Sequence, residues 1–384
     1  MVRITDDILY RVEKPSRYVG GELNEVIKDP KEVDIRFGFC FPDVYEVGMS
    51  HLGSRILYHV LNQRKDTYCE RVYAPWPDME KLMRENNIPL YALETKDPIN
   101  EFNFLAFTLQ YEMSYTNILN MLNMGGIPLR ASERTEKDPL VIAGGPCAYN
   151  PEPLYDIVDI FQLGEGEEGL NDLLDLYQKH KDNFNKEAYL REASHIPSVY
   201  IPSLYDVTYN EDGTIKEFIP KYDDVPKKVK KRIINNFDQV DFPESLIVPY
   251  SEIVHDRVVL ELFRGCTNGC RFCQAGMIYR PVREKSRKTL LDQARKMLKA
   301  TGYDEVSLVS LSTCDYSDIQ GLVKDLIEEH GKNNVSVALP SIRVDAFSVD
   351  LLKEIQKVRK TGLTFAPEAG SQRMRDVINK GLSE

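Results

Sequence analysis

Three cysteines on one short loop are the residues whose types and spacing most directly suggest chemistry. Cys266, Cys270 and Cys273 follow the spacing C-x3-C-x2-C. Thiolates this close along a chain can converge on one soft metal centre, and such ligands select zinc, copper(I) or iron–sulfur clusters. A structural zinc or an electron-transfer cluster normally has four ligands. The loop supplies three, so the centre that it predicts has one open position.

Two other interpretations of these thiols stay open. Zinc would need a fourth ligand from elsewhere, and Cys314 or His255 would supply it. A disulfide with a spare thiol would need an oxidising compartment, but nothing in the sequence indicates secretion. A cluster is favoured because a strand at residues 258–263 leads into the loop and a helix at about 286–300 follows it. In α/β proteins the chemistry lies on loops that leave the carboxyl ends of strands.

The cysteine loop resembles the signature loop of the radical S-adenosylmethionine (SAM) enzymes. The resemblance rests on the three cysteines and on the aromatic Phe272 just before the last of them. It implies a 4Fe-4S cluster whose open iron chelates the amino and carboxylate groups of SAM, with Phe272 near the adenine. It also implies an electron donor such as a flavodoxin or ferredoxin. The expected activity is reductive cleavage of SAM to a 5′-deoxyadenosyl radical, which acts on a substrate that the sequence does not name.

The chain from residue 251 onward is predicted to form the first part of a partial (β/α) barrel of the radical SAM kind. Strands are expected at 258–263, 306–311, 335–339 and 363–366, and helices at 286–300, 317–330, 348–359 and 371–379. At roughly 31 residues per barrel unit, this length allows about four units. The resemblance implies six, so we expect the sequence to be cut inside the barrel.

Polar residues follow the later strands of this predicted barrel. The family resemblance places contacts to the SAM amino group at Ser312 and Thr313. Arg343 is suited to pair with the SAM carboxylate in a bidentate way. Glu368 is a candidate acceptor for the ribose hydroxyls or the amino group.

Residues 1–185 alternate strand and helix patterns, which predicts a flavodoxin-like, doubly wound α/β domain. Strands are expected at 33–41, 71–74, 90–93, 104–109, 140–143 and 157–163, and helices at 49–61, 78–85, 114–124 and 166–177. Glycine and polar residues follow several of these strands, and such loops at one sheet edge form a crevice.

This first domain resembles the cobalamin-binding domain at the N-terminus of many radical SAM proteins. The segments PDVYEVGMSHLG, APWPDME, LQYEMSYTNILNML and VIAGGPCAYNPEP are similar to an uncharacterised bacterial subgroup of that kind. His51 departs from the Asp-x-His-x-x-Gly motif that supplies a cobalt ligand, because Met49 and Ser54 replace its first and last residues. Cobalamin without a protein ligand, or a crevice for substrate, stays open. The candidate crevice residues are Ser50, Thr108, Gln110, Gly144, Gly145, Gly164 and Gly166.

Residues 186–250 are predicted to form a small β-rich linker. The segment 211–214, EDGT, is typical of a hairpin turn. The basic run 227–232, KKVKKR, is interpreted as a solvated face, with an RNA or phosphate contact as the alternative.

Composition limits the classes of function. The chain has a formal net charge of −11 and no apolar run long enough to span a membrane, so we expect a cytoplasmic protein without a membrane partner. This acidity disfavours an RNA-binding function. Cys40, Cys69 and Cys147 are scattered and are predicted to be buried as small apolar residues. A cobalamin-carrier or ligand-binding module with a structural or absent cluster is the alternative to an enzyme.

Overall fold

The structure is a computed structural model of the 384-residue chain and describes residues 2–340, 355–356, 358–359 and 366–383. The chain divides into two compact units. The first comprises Met1–Ile233 with Pro249–Val254, and the second Ile234–Val248 with His255–Glu384. The domain limits at 185 and 250 remain predictions.

The first unit is built on a six-stranded sheet. Its strands are β1 (Ile35–Phe41), β2 (Thr67–Tyr73), β3 (Phe104–Thr108), β4 (Leu140–Gly144), β5 (Ile160–Gln162) and β6 (Val199–Tyr200). Their order is β2-β1-β3-β4-β5-β6, with β1 to β5 parallel and β6 antiparallel to β5. The order 2-1-3-4-5 is that of flavodoxin-like folds. The predicted α/β architecture is therefore confirmed.

Helices connect these strands because an amphipathic helix can cover each apolar sheet face. The helices are α1 (Asp6–Leu9), α2 (Tyr45–Ser50), α3 (Leu52–Gln63), α4 (Pro77–Glu85), α5 (Tyr115–Met124), α6 (Gly166–His180) and α7 (Lys186–Ala193). All five residues of β3 are buried, as expected for a central parallel strand covered on both faces.

Three elements of the first unit differ from their predictions. The single helix expected at 49–61 is two helices, because His51 has extended backbone angles and caps the second. The short strand at 71–74 begins earlier, at Thr67, because β2 pairs with β1 over seven residues. The strand at 90–93 is wrong: Tyr91 forms only an isolated bridge to Pro98. These residues are buried, but their N–H groups bond to unrelated segments: Leu90 to the Met124 carbonyl at the end of α5, and Leu93 to the Arg71 carbonyl of β2.

The predicted hairpin is present in the first unit. It consists of β7 (Tyr205–Tyr209) and β8 (Ile215–Pro220), which pair antiparallel. Gly213 in its turn has φ +82°, a conformation that glycine adopts without a steric penalty. The predicted burial of Cys40, Cys69 and Cys147 is confirmed, and all three are free thiols.

The second unit contains the beginning of a parallel α/β sheet. The strands β9 (Val258–Glu261), β12 (Glu305–Val309) and β13 (Ser336–Ala338) are parallel in the order β13-β12-β9, and β10 (Phe263–Arg264) pairs antiparallel with β11 (Arg283–Glu284). The helices are α8 (Ala275–Ile278), α9 (Arg287–Thr301), α10 (Ile319–His330) and α11 (Gln372–Val377). The β-α-β-α-β succession of β9, α9, β12, α10 and β13 confirms the predicted order.

The strand predicted at 363–366 and the helix at 348–359 lie almost entirely outside the described residues. Within the described part of the chain, no helix combines the length and apolar character needed to cross a bilayer.

Candidate metal centre and ligand sites

The cysteine loop begins and ends at two short strands that pair with each other. Residues 265–282 lie between β10 and β11, which pair Phe263 with Glu284 and Arg264 with Arg283. Gly265, at the start of the loop, has φ +106°, and a Cβ there would lie 2.5 Å from the Pro281 carbonyl oxygen. Only glycine fits this close approach of the two ends of the loop.

The three loop cysteines are free thiols at the surface of the unit. Cys266 and Cys270 are partly exposed and Cys273 is exposed. The backbone N–H of Cys273 donates to the Cys270 carbonyl over 3.1 Å, so the second and third cysteines lie on one tight turn. Three accessible thiols without disulfide partners are chemically the donor set of a cluster with an open iron.

The chemistry of the three thiols suits a cluster, but their positions in the structure must be considered separately. Across the described residues, no group of three or more His, Cys, Asp or Glu side chains is arranged to hold a metal ion. This holds for the three loop cysteines and equally for a four-ligand zinc set with Cys314 or His255. The donor set thus fits a cluster in kind, while the described loop does not gather its sulfurs around one point.

The loop after β12 contains the two predicted SAM contacts, and their hydroxyls differ. Thr313 is fully buried, and its hydroxyl donates to the Leu308 carbonyl over 3.2 Å. Ser312 is 2% exposed, and its Oγ has no hydrogen-bond partner within the described part of the chain. A buried hydroxyl without a partner costs free energy. Ser312 is therefore the better candidate for contact with a ligand.

The remaining predicted SAM residues fall in different surroundings. Phe272 is 55% exposed, and the Lys380 ammonium lies 5.9 Å from its ring centroid. Glu368 is exposed, and its carboxylate accepts a hydrogen bond from Lys380 over 3.1 Å. Phe272 and Glu368 thus both lie next to Lys380. Arg343 lies outside the described residues.

Two residues that the sequence interpretation missed connect the cysteine loop to the loop after β12. Asn268 donates from Nδ2 to the Cys266 sulfur over 3.5 Å and to the Asp315 carboxylate over 3.1 Å. An asparagine between two predicted ligand cysteines was a usable signal in the sequence. The pairing with Asp315 was not, because it joins residues 47 apart in the chain.

A second missed feature is a buried cation at the base of the loop. Lys285 is 1% exposed, and its Nζ lies 3.6 Å from the Phe242 ring centroid and 5.1 Å from that of Phe237. The Arg264 guanidinium also lies over Phe237, at 4.9 Å. Arg264 additionally forms a bidentate ion pair with Glu261. Cation–π contacts of this kind stabilise the packing of residues 234–248 on the strands that hold the loop.

The candidate crevice in the first unit lies at the carboxyl ends of β1 and β3, where the strand order reverses. His51 lies there, and its Nδ1 accepts a hydrogen bond from the Ser54 backbone N–H over 3.1 Å. Gln110 accepts a hydrogen bond from the imidazole and donates to the Thr108 hydroxyl over 2.6 Å. Burial lowers the pKa of His51 to about 4, so the ring is neutral at pH 7. With Nδ1 accepting and the other nitrogen donating, His51 offers no free lone pair to cobalt.

The predicted crevice glycines are packed against the chain itself. Gly145 has φ +111°, and a Cβ there would lie 2.8 Å from the Leu109 carbonyl oxygen. Gly164 has φ +92° and bridges to Arg232, whose carbonyl oxygen would collide with an added Cβ. These two glycines are required by internal packing. A further set of predicted crevice residues has internal neighbours as well: Gly144 beside Gln162, Gly166 beside Leu57, and Ser50, whose hydroxyl donates to the Glu46 carbonyl.

The last residue of the basic run 227–232 is held by acidic partners. The Arg232 guanidinium pairs with Asp172 and, over 3.5 Å, with Glu168 on α6. Lys227 and Lys228 are exposed. The run therefore includes one structural ion pair, while its exposed lysines match the predicted solvated face.

Two family models match separate parts of the chain. Residues 53–202 match the family described as radical SAM proteins, N-terminal, and residues 260–384 match the radical SAM superfamily. Residues 260–384 therefore contain a domain of the radical SAM superfamily, whose members are enzymes that use a 4Fe-4S cluster and SAM.

Individual relatives cover the chain to different extents. An uncharacterized protein of Methanocaldococcus jannaschii is 28% identical over 347 residues, which is 90% of this chain and 63% of that protein. The ribosomal protein uS12 methylthiotransferase RimO of Elusimicrobium minutum is 30% identical over 151 residues, 37% of this chain and 32% of that protein. The chain thus spans less than two thirds of the length of either relative.

Among solved structures, the chain is similar to the radical SAM methyltransferase TsrM from Kitasatospora setae with cobalamin and a 4Fe-4S cluster bound. The TM-score is 0.49 at 12% identity, and the match covers 84% of this chain and 57% of that one.

Proposed function

We propose that this protein reductively cleaves SAM at a 4Fe-4S cluster held by Cys266, Cys270 and Cys273. The observation that carries the proposal is the set of three free, accessible thiols on the loop after β9 and β10, without a disulfide among them. When bound, the cluster supplies the electron that breaks the C5′–S bond of SAM, which yields methionine and a 5′-deoxyadenosyl radical. The substrate of that radical is unknown.

The residues of this chain bind and orient SAM. The Ser312 hydroxyl, buried and without a partner among the described residues, accepts a hydrogen bond from the SAM ammonium group. Thr313 fixes the shape of the same loop through its bond to the Leu308 carbonyl. Phe272 offers an exposed ring to the adenine. Glu368 accepts from a ribose hydroxyl or the amino group, and Arg343 pairs with the carboxylate.

Anaerobic reconstitution with iron and sulfide tests the proposal. The reconstituted protein should bind four irons, absorb as a 4Fe-4S protein and release 5′-deoxyadenosine when reduced with SAM present. Absence of both the cluster absorption and 5′-deoxyadenosine would reject the proposal.

A second candidate function concerns the first unit, which would act as a ligand-binding module whether or not the cluster forms. The favouring observation is the strand-order reversal between β1 and β3, where Gln110 and Thr108 place polar groups. Open α/β sheets bind ligands at this position. Cobalamin is the ligand to test, bound without His51 as its cobalt ligand. In that case methyl transfer to carbon is the expected reaction.

Incubation with hydroxocobalamin separates this candidate from the first. A change in the cobalamin spectrum that persists in protein lacking the three loop cysteines would support a ligand-binding module. An unchanged spectrum would remove cobalamin. Undetectable or salt-insensitive RNA binding would likewise remove RNA as a partner, because phosphate contacts make binding salt-dependent.

A further inference from the structure

Asn268 lies between the first two cysteines of the loop, and its side chain joins two elements of the second unit. The carboxamide nitrogen has two N–H groups. It donates to the Cys266 sulfur over 3.5 Å and to the Asp315 carboxylate over 3.1 Å. A sulfur acceptor at this distance is within the range of an N–H···S hydrogen bond, since sulfur is larger than oxygen. Both donors of the nitrogen therefore have acceptors.

The backbone around Asn268 is held by hydrogen bonds from the side chain of Asn379. The Asn379 side chain donates to the carbonyl oxygens of Asn268 over 3.3 Å and of Gly269 over 2.9 Å. Gly269 has φ +66°, so the chain turns directly after Asn268. The Asn268 carboxamide is thus held by its own backbone and by Asp315. A side chain fixed in this way can maintain one donor on the sulfur of a neighbouring cysteine.

We propose that Asn268 is a positioning residue that tunes the reduction potential of the iron–sulfur centre through Cys266. The proposal rests on the proposed function, because it requires that Cys266 ligates the cluster. In the redox step, one electron passes from a low-potential one-electron donor to the centre, and no bond forms or breaks. The added negative charge spreads partly onto the sulfurs. A hydrogen-bond donor on a sulfur stabilises that charge and raises the potential.

Asp315 is the other half of this arrangement. It lies in the loop after β12, three residues beyond Ser312 and two beyond Thr313. By accepting the second N–H of Asn268, it prevents the carboxamide from rotating away from the sulfur. The same contact joins the proposed SAM loop to the cysteine loop, so Asn268 couples the two loops through one side chain.

The test is a redox titration, monitored by electron paramagnetic resonance (EPR), of reconstituted wild-type protein and the variants Asn268→Leu and Asn268→Gln. Asn268→Leu removes both donors at similar size, and Asn268→Gln keeps the amide on a longer side chain. At a fixed applied potential, we expect Asn268→Leu to lower the ratio of reduced to oxidised centre about tenfold. For one electron this corresponds to a midpoint about 59 mV more negative. Asn268→Gln should lie between Asn268→Leu and wild type.

Thr267→Ala is the matched control, because Thr267 is the exposed neighbour of Asn268 on the same loop. Its midpoint should equal that of wild type. Equal midpoints for wild type and Asn268→Leu, with iron fully loaded in both, would overturn the inference and leave the proposed function intact. If wild type itself binds no iron, the proposed function fails first.

A second measurement serves if Asn268→Leu does not assemble the centre. Electron–nuclear double resonance on reduced wild-type protein labelled with 15N-asparagine should reveal coupling to a side-chain nitrogen and to an exchangeable proton. Absence of both couplings in a loaded wild-type protein would contradict the hydrogen bond and thus the inference.

Discussion

The cysteine loop of the second unit and the carboxyl edge of the first sheet differ in whether their functional groups already have partners within the unit. In the cysteine loop, three thiols are accessible and the neighbouring Ser312 hydroxyl has no partner among the described residues. At the sheet edge, His51 and Gln110 bond within the unit, and Gly164 is packed against Arg232. Groups left with unused bonding capacity indicate a ligand, whereas groups that are already paired indicate packing.

The largest expected effect is the loss of bound iron when a cysteine of the loop is replaced. Cys266→Ala, Cys270→Ala and Cys273→Ala should each abolish stable binding of the 4Fe-4S cluster, because a three-ligand site cannot lose a thiolate and keep its geometry. Iron and sulfide analysis after anaerobic reconstitution measures this. Cys314→Ala is the control and should retain full iron loading. Loss of metal in Cys314→Ala would instead favour the four-ligand interpretation.

The next effect tests the unpartnered hydroxyl of Ser312. Ser312→Ala should weaken SAM binding roughly 10- to 100-fold, the range for a hydrogen bond to a charged group of about 1.5–3 kcal/mol. In the absence of SAM, the variant should be as stable as wild type or more so, because it removes a buried unsatisfied group. Calorimetry of the reconstituted protein and thermal unfolding measure the two effects. A destabilised Ser312→Ala that binds SAM normally would show that the hydroxyl has a structural partner.

A third prediction tests whether Gly164 is required for internal packing and not for contact with a ligand. Gly164→Ala should lower the free energy of unfolding by roughly 1–3 kcal/mol, because φ is +92° and the new Cβ would meet Arg232 backbone atoms. Gly213→Ala is the control. Gly213 has φ +82° but nothing within 4 Å of an added Cβ, so only the backbone strain applies. Denaturant unfolding should rank Gly164→Ala as the less stable variant, and the reverse ranking would contradict the packing account.

The smallest expected effect is the pH dependence that His51 contributes. Because burial lowers the pKa of His51 from 6.5 to about 4, the unfolded chain takes up a proton in this interval and the folded chain does not. The free energy of unfolding should therefore fall as the pH drops from about 6.5 toward 4, by at most about 1.4 kcal/mol per pH unit from this residue.

His51→Asn isolates that contribution, because asparagine retains a helix-capping side chain and does not titrate in this range. Its unfolding free energy should depend less on pH between 6.5 and 4 than that of wild type. Identical slopes in chemical unfolding would show that His51 is not the titrating group. His195→Asn serves as the control, because His195 is exposed.

The sequence was sufficient where one local pattern determines the outcome. The alternation of strand and helix patterns predicted the parallel sheet of the first unit, and the strand pattern at 258–263 predicted that the cysteines lie on a loop after it. The pairing of β10 with β11 at the base of that loop was not predicted. The strand expected at 90–93 failed for a physical reason: a short apolar run indicates burial, not conformation. The N–H of Leu90 bonds to the Met124 carbonyl instead of to a neighbouring strand.

Glycines and asparagines show the limits of sequence interpretation at the sites. Gly164 fits a crevice loop by sequence, yet its positive φ accommodates the close passage of Arg232, a residue 68 positions away. Asn268 could be noted from its place between two loop cysteines, but its pairing with Asp315, 47 residues away, could not be predicted. Contacts between remote segments decide both cases, and no local pattern encodes them.

The most direct test of the central claim is EPR of the reduced, reconstituted protein with and without SAM. If Cys266, Cys270 and Cys273 are the only protein ligands, one iron is open, and SAM should change the g values of the reduced centre. The same spectral change should occur in Cys314→Ala. A 4Fe-4S signal that SAM leaves unchanged at saturating concentration would mean that a fourth protein ligand occupies that iron, and would contradict the account.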